Sequence, residues 1–362
     1  KAHDIIRVDY YYWMNDRENS RVINYLHNEN AYFEKMTAHT KDLQKKLFHE
    51  MRSRIKEDDK SVPFKLNGYW YLTRFEKGKD YPVYSRKKET LDAPEEVLFD
   101  VNEMAKGHDY YSLGGLNVSH DNKLIAFAVD IQGRRNYKIH VKNLETGKIL
   151  PLKLGYTTGS STWANDNKTL YYTKKDKKTL RSNRIYKHIL GTEAKEDILV
   201  FEEKDEAFNT YIYKSKSRRY LIIGSSSTLT SEYRILEADN PAGEFRVFQQ
   251  RERGLDYGVS HYGDYFYILT NIDGAQNFKL MKTPVEKTGK ENWIEVIPHR
   301  DDHLLEDVEI FKNFLVVSER HNGLNKISIT HWKSGESYFL PFDNETYTAY
   351  TSINPDFETD IL

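Results

Sequence analysis

The sequence has no cysteine among its 362 residues. That absence excludes disulfide frameworks, thiolate zinc sites and thiol nucleophiles. It also has almost no net charge: 54 Lys plus Arg against 55 Asp plus Glu leave −1. A chain without a long-range positive field does not gather phosphates, so no nucleic-acid partner is expected. No run approaches the ~18 apolar residues of a membrane span, and the mean hydropathy is −0.76. No membrane partner is therefore expected. The sequence begins at Lys1 rather than Met, so an upstream part is expected to be missing and targeting cannot be read. Cytoplasmic location is the expectation, with periplasmic as the alternative.

What is abundant is tyrosine, 27 residues, and its placement separates two regions. Residues 1–62 read as helical. Ser20 fits an N-cap, and Val22, Tyr25, Leu26, Tyr32 and Met36 follow at helical spacing. Leu43, Leu47, Met51 and Ile55 form an i, i+4 stripe that needs an apolar partner. An ordinary packed helix and a membrane-surface helix both fit that stripe, and the first is expected.

Residues 63–362 change to short β runs, such as Leu124–Ala128, Tyr220–Ile223 and Tyr265–Leu269. Each follows a turn: Asn67-Gly68, Asp121-Asn122, Asp166-Asn167, Ser217-Arg218, Gly263-Asp264 or Lys312-Asn313. A second turn recurs at Gly147, Gly191, Gly243, Gly289 and Gly335, with spacings of 44, 52, 46 and 46 residues, and Leu91–Pro94 marks it in the first unit. Four short strands per repeat of roughly 40–50 residues are the signature of a β-propeller. A β-sandwich has short strands too, but not this recurrent spacing. The expected fold is all-β: a seven-bladed β-propeller behind an α-helical N-terminal segment, with six blades present. Thr346–Ile353 is expected to start the inner strand of the seventh, and the sequence is expected to be truncated within that blade.

Catalytic motifs are missing. There is no G-x-S-x-G; Gly224–Ser227 and Gly159–Ser161 lack the second glycine and lie in β context. No P-loop or dinucleotide fingerprint occurs, and no cofactor is expected. His299-Arg300-Asp301-Asp302-His303 offers metal-ligand types, but nothing puts both histidines on one face, so a polar turn is expected and no metal. His49-Glu50 resembles a zinc-peptidase start, with Ser53 where the second His would stand. Lys174–Lys178 reads as a solvated hairpin loop.

One loop series is more promising. Between the second and third strands of successive blades lie Gln132–Arg135, Leu180–Arg184, Thr230–Glu232, Asp273–Gln276 and Glu319–Gly323. In a propeller these connections gather on one face, where function is normally presented. Arg134, Arg135, Arg181, Arg184, Glu232 and Arg320 are the candidate residues, against the plainer reading of solvated hairpins.

Several motifs then carry a resemblance. Arg54–Pro63 followed by Gly68-Tyr69-Trp70-Tyr71 resembles the helix-to-propeller junction of the oligopeptidase B group within the prolyl oligopeptidase family of serine peptidases. Glu29–Tyr32, Tyr110–Gly115, Gly133–Tyr137, Asn143–Gly147, Glu202–Asp205, Thr230–Glu232, Asn277-Phe278 and Gly323-Leu324 are similar to that family as well. The likeness runs through the whole chain. It departs at Asp9–Met14, where Tyr10 and Met14 stand in place of the usual Pro and Leu. The resemblance implies a propeller over an α/β-hydrolase domain, absent from this sequence, whose Ser, Asp and His cleave short peptides after Arg or Lys. The partners implied are such basic-residue-containing peptides and that catalytic domain, against which residues 1–62 would pack. The propeller would act as a gate and filter, with Arg134 and Arg135 as the best candidates for facing the interdomain cavity. This chain alone is expected to be inactive. Two other classes stay open: a stand-alone propeller acting as a binding module, and a metal-dependent propeller hydrolase.

Overall fold

The second strand of each repeat is an unbroken apolar run, and the computed structural model shows why. The structure describes residues 3–362; Lys1, on which the expectation about targeting rests, lies outside the described residues with Ala2. The chain divides into two units, residues 1–59 and 60–362.

The first unit holds α1 (Ser20–Thr37) and α2 (Lys41–Ser53), joined by a short 3-10 turn. The cap of α1 is Asn19, not Ser20: Asn19 is extended and its side chain accepts the Arg21 N–H at 2.9 Å, which leaves Ser20 as the first helical residue. Trp13 packs edge-on against Tyr25, with Arg21 over its ring at 4.1 Å. Leu43, Leu47 and Met51 are exposed on α2, and Ile55 lies beyond the helix end.

The second unit follows a two-residue strand, β1 (Asp59–Lys60), and is a succession of antiparallel meanders. The first comprises β2 (Phe64–Leu66), β3 (Tyr69–Phe75), β4 (Val83–Lys88) and β5 (Glu96–Asp100), with a one-turn helix, α3 (Val101–Met104), after it. The second is β6 (Ser112–Val118), β7 (Leu124–Asp130) and β8 (Tyr137–Asn143), completed by an isolated bridge from Lys142 to Ile149. The third is β9 (Leu154–Trp163), β10 (Thr169–Lys175), β11 (Ser182–Ile189) and β12 (Ile198–Glu202). These two meanders merge into one seven-stranded sheet because the long β9 pairs first with β8, Leu154 opposite Ile139, and then with β10, Trp163 opposite Leu170. Three four-stranded sheets follow. They are β13 (Asn209–Lys214) to β16 (Arg246–Val247), β17 (Tyr257–Tyr262) to β20 (Ile294–Ile297), and β21 (His303–Ile310) to β24 (Ser337–Phe339). The last contains β22 (Phe314–His321) and β23 (Leu324–His331); the others contain β14 (Tyr220–Ser226), β15 (Ser231–Glu237), β18 (Tyr265–Thr270) and β19 (Lys279–Pro284).

Six repeats are thus present, and the recurrent turns fall where the spacing put them. Gly147, Gly191 and Gly335, at positive φ, sit between third and fourth strands. Asn67 and Gly68, at φ 54° and 76°, turn β2 into β3 in the backbone conformation that a two-residue hairpin requires.

Alternate residues of each second strand pack on opposite neighbours. Ile125 and Phe127 join Tyr71 and Phe99 of the preceding meander, whereas Ala126 and Ala128 join Trp163 and Tyr172 of the next. Tyr171 then packs with Leu221 and Ile223, Ile222 with Phe266 and Ile268, and Tyr267 with Leu315 and Val317. A strand buried on both faces has no polar side to show, so its sequence reads as a continuous apolar run. The meanders therefore stack face to face as blades do. The core is divided among these inter-blade layers.

One expected strand is missing. Thr346–Ile353 is irregular, because none of its backbone groups finds a ladder partner among the described residues. The segment that follows folds back on the sixth repeat instead: the Lys312 N–H donates to the Phe357 carbonyl at 2.8 Å, and Phe357 joins the Tyr262–Trp332 cluster.

Candidate functional site

The first-to-second-strand turns form a hydrogen-bonded series across successive repeats. The Asn122 amide donates to the Asn67 carbonyl at 3.1 Å, and the Asp121 N–H to Asn167 Oδ1 at 2.9 Å. The Asn165 amide donates to the Arg218 carbonyl at 3.1 Å, Ser217 Oγ lies 2.7 Å from His261 Nδ1, and the Tyr262 hydroxyl reaches the Lys312 carbonyl at 3.1 Å. Asx residues dominate this series because their short side chains tolerate the left-handed turn and still reach a neighbouring backbone.

Inside the turns, the inner strands β6, β9 and β13 and the end of β2 surround a cavity of about 530 Å³. Its lining includes Lys214, Lys216, Arg218 and His120, together with Ser160, Ser161 and Thr162, and no carboxylate. The counter-charges sit behind. Lys216 Nζ pairs with Glu309 at 2.6 Å and lies 3.9 Å from the centre of the Phe311 ring. Lys214 Nζ donates to Asn165 Oδ1 at 2.8 Å, and Asn165 in turn donates to Asp239 at 2.8 Å. Burial, then the charge of Arg218, pushes Lys214 down to about 8. Burial also lowers His120, followed by the charges of Lys214 and Arg218. The Arg218 guanidinium donates to Asn67 Oδ1, so side chains from the first and fourth repeats meet directly over one end of the cavity.

The opposite face carries the second-to-third-strand connections and the links between repeats. Asn271 donates to the Gly254 carbonyl at 2.9 Å and Asn277 to the Asp301 carbonyl at 2.7 Å, tying the β18–β19 hairpin to the links on both sides of its repeat. Of the six candidates read from sequence, two sit in exposed loop here. Arg134 makes no hydrogen bond or ion pair among the described residues. Arg135, at φ 53°, donates its N–H to Asp130 at 2.7 Å, and its carbonyl accepts from Lys175 Nζ at 2.5 Å.

The other four are held within the propeller. Arg181 Nη1 donates to the Asp205 and Phe208 carbonyls at 2.8 and 2.6 Å and Nη2 to that of Glu203 at 3.1 Å, clamping the link between the third and fourth repeats. Arg184, Glu232 and Arg320 were expected in loops but belong to strands β11, β15 and β22, because pairing runs further than the turn signals suggest. Arg184 pairs with Glu202 at 2.7 Å, directly opposite on β12. Glu232 is buried and holds Arg234 at 2.5 Å and Arg251 at 3.7 Å. Arg320 pairs with Glu306 at 2.6 Å. The structure therefore joins Arg135 to Lys175, leaves Arg134 in the same exposed loop, and gives each of the other four hydrogen-bonded or charged partners within the repeats.

The cavity cations were missed by sequence reasoning. Lys214 and Lys216 alternate on and just after an inner strand, Tyr211-Ile212-Tyr213-Lys214-Ser215-Lys216, and alternation on an inner strand was the available signal. Both Gly-Ser runs lie in β context; Gly224–Ser226 closes β14 at the expected strand end, whereas Gly159–Ser161 lies inside β9 rather than at an end or in a loop. Lys174 and Lys175 end β10, and Asp176 caps the turn by accepting from the N–H groups of Lys178 and Thr179. His299 Nδ1 lies 3.7 Å from Asp301, in the expected polar turn. No described helix is long and apolar enough to cross a membrane.

The comparisons agree with this architecture. Residues 1–362 match the model for the family "Prolyl oligopeptidase, N-terminal beta-propeller domain". Dipeptidyl aminopeptidase BI of Pseudoxanthomonas mexicana is 41% identical over 377 residues, covering 99% of this chain and 52% of that protein. Protease 2 of Moraxella lacunata is 31% identical over 366 residues, with the same two coverages of 99% and 52%. Among solved structures, oligopeptidase B from Leishmania major superposes with a TM-score of 0.88 at 31% identity, covering 94% of this chain and 50% of that one. The chain spans about half the length of these relatives. It belongs to the prolyl oligopeptidase family of serine peptidases, as its N-terminal β-propeller domain.

Proposed function

From that family membership, we propose that this propeller controls which substrates reach the active site of a serine oligopeptidase, admitting short peptides and excluding folded proteins. The observation that carries the reading is the bracing of one face. The Arg218–Asn67 contact and the turn-to-turn series tie the turns of successive repeats together there and narrow the way to the cavity. Entry is then governed at the opposite face, by movement against a C-terminal α/β-hydrolase domain. The exposed apolar residues of α2, Leu43, Leu47 and Met51, support a role for residues 1–62 in packing on that domain. Cleavage after Arg or Lys is supported by the likeness to oligopeptidase B and Protease 2. Arg134 and Arg135 would face the interdomain cavity and pair with carboxylates of the catalytic domain or of an acidic substrate.

A second reading of the cleavage step rests on the 41% identity to a dipeptidyl aminopeptidase. In that case dipeptides leave from a free N-terminus. The two are separated by assaying the whole protein on Arg-containing reporters with blocked and free N-termini. Cleavage of the blocked reporter supports the oligopeptidase reading; cleavage of the free one alone supports the dipeptidyl reading. The gating role is tested by Arg134→Glu with Arg135→Glu in the same protein. Altered KM or altered domain closure in solution scattering is expected, and unchanged kinetics together with unchanged closure would refute it.

A further inference from the structure

The sequence places His303 eighteen positions before His321, and nothing in that spacing suggests a pair. Strand register makes one. His303 opens β21 and His321 closes β22, and the two are directly opposite in the ladder. Opposite residues of an antiparallel pair project to the same face, and here the two rings stack with centroids 4.0 Å apart and planes 6° from parallel. Asp302, in the turn just before β21, reaches both: Oδ1 lies 2.8 Å from His303 Nδ1 and Oδ2 lies 3.5 Å from His321 Nε2. One ligand atom from each of the three residues falls within 4.8 Å of the others.

We propose that Asp302, His303 and His321 form a binding site for a divalent transition-metal ion of the zinc type. Two imidazoles and one carboxylate are the donor set such ions accept, with water in the remaining position. A tetrahedral ion with bonds of about 2.0–2.1 Å needs donor atoms about 3.4 Å apart. The two carboxylate contacts already bracket that separation. The rings must tilt from parallel so that both nitrogen lone pairs converge at their shared edge. Both rings are largely buried, with 16% and 24% of the His303 and His321 side chains exposed, so that tilt is a small rotation toward the exposed Asp302.

The surroundings match what such a site needs. When Nδ1 of His303 faces the ion, its Nε2 points toward Glu319 Oε1, 3.9 Å away. That is longer than a hydrogen bond; closed by the tilt of the ring, such a contact would fix the tautomer of the ligating imidazole and strengthen it as a donor. Glu319 is itself almost fully buried and held by Arg300. Hard ions such as Mg²⁺, which prefer oxygen donors and keep their waters, are poorly served by two imidazoles. A bound ion would tie the link between the fifth and sixth repeats to the end of β22, on the face proposed to govern entry.

The test is calorimetric titration of the whole protein with Zn²⁺ and, separately, Mg²⁺. One zinc per chain is expected, with no saturable Mg²⁺ binding. His303→Ala and His321→Ala should each weaken zinc on the order of 100-fold, while His331→Ala on the neighbouring strand should leave it unchanged. As a second readout, zinc should raise the melting temperature of the parent protein and of His331→Ala but not of His321→Ala. Should either alanine variant fail to fold, His321→Gln keeps a polar side chain in place and should show the same loss. Absence of saturable zinc binding, or zinc binding unchanged in the folded His303 and His321 variants, would overturn the proposal.

Discussion

Arg218 and Asn67 are 151 positions apart in the sequence, yet the guanidinium of one donates to the side-chain oxygen of the other across the propeller cavity. Both sit in turns at positive φ, 61° and 54°, so neither side chain reaches its partner unless both hairpins form correctly. The contact couples the first and fourth repeats directly, whereas every core layer couples only neighbours.

That coupling is measurable by a double-mutant cycle of Asn67→Gly and Arg218→Ala. Glycine keeps the turn conformation and removes only the amide. Denaturant unfolding should give an interaction free energy of about 0.5–3 kcal/mol. Strict additivity would mean that the two side chains do not support each other in solution.

Lys214 should titrate near 8 rather than at the ordinary lysine value of 10.5. Heteronuclear NMR of lysine-labelled protein reads this directly. Arg218→Ala should move the midpoint upward by part of that difference, because burial is the larger cause and the arginine the second. A midpoint above 10 in the parent protein would show the cavity to be far wetter than its lining implies.

His261 is buried beside Ser217, and burial, with Arg219 second, pushes it down to about 4. The unfolded chain therefore binds this proton first as pH falls. Stability from this group is complete above about 6.5 and is lost progressively as pH falls from 6.5 toward 4, by up to about 3 kcal/mol. His261→Asn should remove that part of the slope, seen as the difference between urea-midpoint profiles of variant and parent. Superimposable profiles would contradict the assignment.

Gly115 and Gly159 bring β6 and β9 into close approach. A Cβ on Gly115 would stand 2.0 Å from the Gly159 carbonyl oxygen at φ 63°, so Gly115→Ala should cost more than about 3 kcal/mol or prevent folding. Gly335→Ala meets nothing within 4 Å and carries only the strain of φ 72°, about 1 kcal/mol. Soluble yield and thermal melts of the two variants should differ accordingly.

The sequence by itself determined the helical lead-in, the β repeats and the positions of their turns. These are local matters: Asn-Gly at a hairpin, glycine at positive φ, and second strands such as Tyr220–Ile223 that are apolar because both faces are covered. It also carried the family likeness. It went wrong by one residue at Asn19, where the extended backbone decides the cap. At Thr346–Ile353 a β-like composition finds no ladder partner among the described residues. Long-range register was illegible, and it decided the sites. Arg184 and Arg320 read as loop charges until strand pairing set each beside an opposite charge, and Glu232 until the strand itself placed Arg234 on its face. The dismissed His299–His303 run gained a partner in His321 only through the pairing of β21 with β22. The cationic cavity exists only because inner strands from four repeats converge. Turn chemistry acts over a few residues, whereas the juxtaposition of side chains from distant strands depends on how every intervening blade twists and packs.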